Sequence, residues 1–283
     1  MQLKDFVPPI IVKAAKRLKY SVDNGDRYGQ KLYDSYESAL ALCKSGYEQN
    51  DLVSVVYEKT RLYRDLILSQ HPFVSEISSL RTLVGLSLSS RCALRGNKLN
   101  VIDFGGACGA HYFIAKRVFG DGIDLRWHVV ETPNMVSRAI GLEDGRLKFF
   151  DDLEKAKAGV DHVDLVFSSG ALQYVPRPYE FLEGLTECKA DNIFITRVGL
   201  STLPKELVII QRSHLRENGI GPMPQGMQDG VAQHPVTFAR KDKFEEILSR
   251  RYSIDILFNE DKGGYHAANQ PVDMYGYFGT LKR

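Results

Sequence analysis

NVIDFGGACGAHYF, residues 100–113, reads as a strand, a glycine-rich turn and the start of a helix. The apolar run ends at Asp103-Phe104. Gly105 and Gly109 then remove Cβ atoms where a ligand must approach backbone. A helix beginning near Gly109 presents N–H groups that have no partner in the first turn. In an α/β sheet such a turn places a nucleotide-type site at the carboxyl ends of the strands, although a tight connection with no ligand has the same sequence.

Outward from this stretch, short β-rich runs alternate with helical ones. The strand candidates are 99–104, 126–131, 146–150, 163–169 and 192–198, with helix candidates around 110–119, 133–140, 152–158 and 178–187. Nearly all-apolar strands alternating with helices predict a parallel sheet covered on both faces. The runs 252–260 and 272–281 predict a final antiparallel pair joined by the Gly/His/Asn-rich stretch 261–271. Between them and the fifth strand, GIGPMPQGMQDGVAQHP (219–235) is rich in Gly and Pro and reads as a mobile loop within a lid insertion of about 200–238. Residues 1–98 differ in periodicity: Leu52, Val53, Val56, Leu62, Tyr63 and Leu66 recur at helical spacing, as do Ile10, Ile11, Ala14, Ala15 and Leu18. Ser35 reads as an N-cap and Gly46 as a C′ residue of the helix between them. The expected organisation is a helical N-terminal cap over 1–98 and an α/β domain over 99–283.

The composition excludes several classes. Of 283 residues, 43% are hydrophobic and 25% charged, which separates the chain from disordered and low-complexity sequences. A formal charge of +2 argues against a dedicated nucleic-acid binder. That small total divides into +5 over residues 1–98 and −3 over 99–283, so the helical part is a candidate for attracting an anionic acceptor. Cys43, Cys92, Cys108 and Cys188 are scattered without metal-ligand spacing, which predicts no metal site and fits reduced thiols in a cytoplasmic protein. There is no signal-peptide pattern at the start and no apolar run of membrane-spanning length. Lys13, Lys16, Arg17 and Lys19 beside Ile10, Ile11 and Leu18 describe either a solvated basic face or a helix, within residues 5–20, lying on the inner membrane surface.

Three further signals bear on a bound ligand. Glu131, ending the second strand, can accept both hydrogen bonds of a ribose diol, or cap the helix that begins at Thr132-Pro133. Asp151 or Asp152 can hold an adenine amino group, or cap the helix that follows. The fourth strand opens into Ser168-Ser169-Gly170, followed by Leu172, Gln173, Tyr174 and Val175; Gln173 and Tyr174 are expected to face the site, Leu172 and Val175 the core.

In this order, DFGGACG (103–109), VVE (129–131), FDD (150–152) and DLVFSSGALQYV (164–175) resemble class I S-adenosylmethionine-dependent methyltransferases. The resemblance implies a Rossmann-like, doubly wound α/β sheet of about seven strands, mostly parallel with the last antiparallel. It implies S-adenosyl-L-methionine as cofactor, held by Asp103, Gly105, Gly106, Ala107, Gly109, Glu131, Ser168 and Ser169, with Asp151 and Asp152 at the adenine. Ala107 stands where many members have glycine. A closer resemblance, carried by 5–10, 33–47, 101–113, 125–136 and 168–182, is to a small bacterial methyltransferase-like family found among cell-surface polysaccharide genes. It implies a carbohydrate, glycan-precursor or other small hydroxylated or anionic acceptor. The fifth-strand segment of that family is of the D-R-T-P type; here it reads Thr196-Arg197-Val198-Gly199.

Methyl transfer needs an acceptor oxygen held in line with the methyl group, water excluded, and for a hydroxyl a general base. His111, directly after the turn, and His234, in the expected lid, are the candidate bases; His266 lies in the expected tail loop, while His128 and His162 sit in or before strands and read as structural. Tyr112, Gln173, Tyr174 and Arg197 are candidate substrate-binding residues, Arg197 for a phosphate or carboxylate unless it forms an ordinary salt bridge. Two other classes stay open: a non-catalytic cofactor-binding or scaffold protein of this fold, and a nicotinamide oxidoreductase, which would want G-x-G-x-x-G where this turn has G-G-A-C-G-A.

Overall fold

Four helices alternate with the first five strands, as the periodicity predicts. The strands are β1 (Lys98–Phe104), β2 (Asp124–Val130), β3 (Leu147–Phe150), β4 (Leu165–Ser169) and β5 (Asn192–Ser201). The computed structural model describes residues 31–43, 46–69, 81–82, 84–88 and 97–283, with backbone only for 261–266. Strands β1 to β5 are parallel in the order β3-β2-β1-β4-β5. Helices α1 (Tyr36–Leu40) and α2 (Asn50–Ser69) precede them; α3 (Ala110–Phe119), α4 (Pro133–Ala139), α5 (Leu153–Ala158) and α6 (Pro178–Glu187) lie between them.

After β5 come β6 (Leu207–His214), β7 (Val231–Arg240), α7 (Lys241–Arg251), β8 (Tyr252–Ala267) and β9 (Gln270–Leu281). β9 lies antiparallel between β5 and β8, so the main sheet runs β3-β2-β1-β4-β5-β9-β8 with only β9 reversed. This is the expected Rossmann-like α/β sheet of seven mostly parallel strands. The stretch 261–271 is not a long loop: β8 continues to Ala267 and turns into β9 through Ala268 and Asn269, both at positive φ. Such a two-residue turn matches the twist of the flanking strands.

The stretch 219–235 is not a loop throughout either. Val231–Pro235 open β7, which pairs antiparallel with β6 from Leu207↔Phe238 to His214↔Val231. β7 also runs parallel to β5 at Leu200↔Ala239 and Ser201↔Arg240, while β9 holds the other edge of those residues. The β6–β7 hairpin therefore takes over the β5 edge that β4 leaves after Ser169, above the carboxyl end of the sheet. Tyr33, bonded to Val208, joins this hairpin to the N-terminal part.

The two sheet faces carry separate cores. One packs Val101, Trp127, Val129, Leu147 and Phe167 against Leu52, Val53 and Val56 of α2 and Phe113 and Ile114 of α3. The other packs Ile102, Val130, Val166 and Ile195 against Leu182 and Leu185 of α6 and Phe244 and Leu248 of α7. Helix α2 thus shares its core with the sheet. Ser35 does cap α1, accepting from Ser38 N at 3.1 Å, but that helix ends at Ala41, short of Gly46. The basic segment 5–20 and Cys92 lie outside the described residues, as does the His266 side chain. Among the described residues no helix is long and apolar enough to cross a membrane.

Candidate functional site

Strand register brings distant residues into one row. Phe104 pairs with Val130 and Ser168, Val130 with Phe150, and Ser168 with Ile195. One step further along each strand stand Gly105, Glu131, Asp151, Ser169 and Thr196. The first four line a cavity of about 1170 Å³ at the carboxyl end of the sheet, which Arg197 enters one residue later. Typical small-molecule sites occupy about 300–1,000 Å³, so there is room here for two ligands side by side.

The turn after β1 is built for close backbone approach. Gly105 has φ +70, and a Cβ there would collide with the Ala171 methyl. A Cβ on Gly106 would overlap the Asp103 carboxylate, 2.5 Å from its Cγ. Gly105, Gly106 and Ala107 line the cavity, and Ala107 adopts φ 49. Gly109, the N-cap of α3, places no side chain over its first turn, where Ala110 and His111 also line the cavity.

The Glu131 carboxylate is held by two backbone donors: Oε1 accepts from Ala107 N at 3.0 Å and Oε2 from Thr132 N at 2.9 Å. Burial raises its pKa, and the two donors oppose that rise. A carboxylate offers about four lone-pair sites. Two remain, enough for two hydroxyl donors. Asp151 also lines the cavity; its carboxylate bonds Lys155 Nζ at 2.9 Å, which holds its pKa below the ordinary value. Asp152 instead caps α5 through Lys155 N at 2.9 Å and does not line the cavity.

Asp103 is fully buried beneath the turn rather than in the cavity. Its Oδ2 accepts from Trp127 Nε1 at 2.9 Å, and its Oδ1 has no partner among the described residues. Burial pushes its pKa up to about 7, against the Trp127 hydrogen bond. Ser168 is likewise buried behind the wall, whereas Ser169 faces the cavity.

Arg197 sits in a β-bulge. The β5–β9 register shifts between Ile195 and Val198, and Arg197 takes φ 55. Glu260 of β8 clamps the bulge: it accepts from Arg197 N at 2.8 Å and from the Thr196 hydroxyl, and pairs with Arg81. Arg197 is exposed to solvent, and its side chain lines the cavity. Its Nε donates to Ser169 Oγ at 3.0 Å and its Nη2 to Ser169 O at 2.9 Å. Burial lowers its pKa.

The histidines divide. His111 lines the cavity with Nδ1 2.6 Å from Thr82 Oγ1; burial, then the Arg197 charge, lowers its pKa to about 3, so it is neutral at physiological pH. His234 does not line the cavity. It lies in β7 opposite Gln211, its Nε2 3.2 Å from Gln211 Oε1, and burial lowers its pKa to about 4. The expectation of a lid histidine fails because the β6–β7 ladder continues through Pro235. Tyr112 follows His111 by one residue, about 100° around the helix. It is buried and donates to Asp144 at 2.7 Å, away from the expected substrate role. Gln173 is buried too, and braces the bulge by donating Nε2 to Arg197 O at 3.2 Å. Tyr174 lines the cavity as expected, its hydroxyl donating to Gln211 at 2.9 Å; Val175, expected in the core, lines it as well.

The helical part supplies residues that sequence reading missed. Tyr36, Tyr47, Glu48, Val56 and Thr60 line the cavity. Tyr47 stacks on Tyr174 with ring centroids 6.1 Å apart, and Tyr36 donates to Tyr174 O at 2.8 Å. No local signal marked them, since only tertiary packing carries them to the strand ends. Among the described residues no Lys or Arg of the N-terminal part lines the cavity. Lys59, buried in α2, donates to Arg216 O and Asn218 O at 2.8 Å each, next to the cavity-lining Gly219 and Ile220. At the opposite end of the sheet, His162 Nε2 lies 3.0 Å from Asp191 Oδ2, in keeping with a structural role; His128 bonds Ala156 O at 2.7 Å.

No protein-family model matches the sequence, and no curated protein matches it significantly. Among solved structures, the chain is similar to the N-terminal domain of EvdMO1 with SAH bound, at 15% identity and TM-score 0.46, over 74% of this chain and 83% of that one. It is similar to an S-adenosylmethionine-dependent methyltransferase from Clostridium acetobutylicum at 10% identity and TM-score 0.45, over 80% and 98%. It is also similar to DesVI of Streptomyces venezuelae at 13% identity and TM-score 0.46, over 81% and 98%. These are distant likenesses of shape.

Proposed function

We propose that the protein is an S-adenosylmethionine-dependent methyltransferase that methylates an oxygen of a small acceptor. The observation that carries this reading is the Glu131 carboxylate, fixed by Ala107 N and Thr132 N beside the glycine turn with two acceptor sites left over. The residues fit the cofactor: the turn removes side chains where backbone must be approached, and Glu131 is placed to accept from a ribose diol. Asp151, one strand further out, is placed to accept from an adenine amino group. When bound, S-adenosylmethionine supplies a methyl group made electrophilic by its sulfonium.

The remaining chemistry belongs to the chain. His111 is neutral, and its Nδ1 is engaged by Thr82. In the tautomer whose Nδ1 donates to Thr82 Oγ1, Nε2 is left to accept a hydrogen bond from an acceptor hydroxyl and orient that oxygen. With so low a pKa it is a weak base, so positioning is its main contribution. Tyr47 and Tyr174 form one wall of the cavity. The sequence resemblance supports a carbohydrate or glycan-precursor acceptor.

Isothermal titration with S-adenosylhomocysteine tests the reading. Wild type binds. Glu131→Ala, folded by circular dichroism, binds at least about 100-fold more weakly, since two hydrogen bonds to a charged group are lost at about 1.5–3 kcal/mol each. Absence of binding by wild type sinks the proposal.

A further inference from the structure

We propose that Arg197 anchors an anionic group of the acceptor, a carboxylate or a phosphate. The inference rests on the methyltransferase reading for the word acceptor, but the anion site stands on its own geometry. Among the described residues, two of the five guanidinium N–H donors find a partner, and both go to neutral oxygens of Ser169. Three donors remain in a planar fork that matches carboxylate and phosphate. Among the described residues no carboxylate lies within 4.0 Å of the guanidinium, so the ordinary salt bridge is not there.

Positive φ at a residue with a long side chain is costly. The surrounding structure holds it in place. Glu260 spends its carboxylate on the Arg197 N–H and the Thr196 hydroxyl, not on the guanidinium, and Arg81 answers its charge. Gln173 holds the Arg197 carbonyl from the other side. The bulge lifts Arg197 out of the β5 ladder and turns it into the cavity beside His111. The acidic residues of the cavity, Glu48, Glu131, Asp151 and Glu217, are none of them paired with it.

The cofactor has a carboxylate of its own, and the experiment separates the two anions. Inorganic phosphate and acetate are titrated into S-adenosylhomocysteine-loaded protein at constant ionic strength, with wild type, Arg197→Gln and Arg197→Lys. The affinities of S-adenosylhomocysteine and of 5′-methylthioadenosine, which lacks the amino-acid carboxylate, are measured on the same three proteins. The expected result is saturable binding of at least one anion by wild type, weakened tenfold or more in Arg197→Gln and less in Arg197→Lys. S-adenosylhomocysteine affinity stays within twofold. Loss of S-adenosylhomocysteine affinity in Arg197→Gln with 5′-methylthioadenosine unaffected would assign Arg197 to the cofactor and overturn the proposal. Equal anion binding by all three proteins, or none by wild type, overturns it too. If Arg197→Gln does not fold, the Arg197→Lys comparison decides alone. Should wild type bind no S-adenosylhomocysteine, the methyltransferase reading fails, and the anion titration on unliganded protein still decides the anion site.

Discussion

Replacing Asp103 with Asn should flatten the dependence of folding stability on pH. Asp103 is fully buried, and its pKa rises from the ordinary 3.8 to about 7 in the fold. The folded protein therefore holds a proton on Asp103 between those values, while the unfolded chain has released it. With more protons bound in the folded state, stability falls as pH rises, by about 1.4 kcal/mol per unit. The effect is absent below the unfolded value and complete above about pH 7. Over the whole window it amounts to roughly 4 kcal/mol, and about 2 kcal/mol of that falls between pH 5 and pH 7. Asn can still accept from Trp127 Nε1. Its second amide group carries a cost that does not vary with pH, so the slope is the readout. Urea unfolding at pH 5, 6, 7 and 8 measures it. The wild-type slope should be steeper than that of Asp103→Asn across pH 5–7, by about 2 kcal/mol in total. Parallel profiles would refute the assignment of a protonated Asp103 beneath the turn.

Other perturbations have equally definite outcomes. Gly105→Ala meets the Ala171 methyl at a positive-φ position and should cost about 2–4 kcal/mol in thermal or urea melts, from overpacking and backbone strain together. Lys59→Met removes two charge-assisted hydrogen bonds to loop carbonyls. It should cost about 3 kcal/mol and speed limited proteolysis within 215–230. His234→Phe keeps the ring packed on Tyr174, behind the cavity wall and not part of its lining. Calorimetry should find S-adenosylhomocysteine affinity within twofold of wild type, and a tenfold loss would return His234 to the site. Tyr174→Phe loses the hydrogen bond to Gln211 and should cost about 1 kcal/mol of stability.

What could be read in advance followed from locality. Strands β1 to β5 are short apolar runs bounded by turn residues, and the residue after each strand end is fixed by the run itself. That is why Gly105, Glu131, Asp151 and Ser169 were legible as one site. The β6–β7 hairpin was not, because the Gly- and Pro-rich loop inside it masked two ordinary strands on either side. His234 was misplaced for the same reason. Asp103 shows a different limit. Its position in the motif is plain, but alternation along β1 puts its side chain on the Trp127 face, where it props the turn from beneath. Tyr36, Tyr47 and Thr60 reach the cavity only because α1 and α2 pack against the sheet, and no spacing within residues 31–69 encodes that distance.

The reversed strand β9 also governs when this protein can fold during synthesis. It is made after the other eight strands, yet it sits between β5 and β8. Tyr277 and Phe278, neighbours on β9, plug the two opposite cores. While the ribosome still holds residues 270–281, β5 has an open edge and β8 has no partner on the sheet. Such an edge is a template for pairing with other chains. Nascent chains halted before β9 should therefore be the aggregation-prone species, whatever ligand the finished cavity takes.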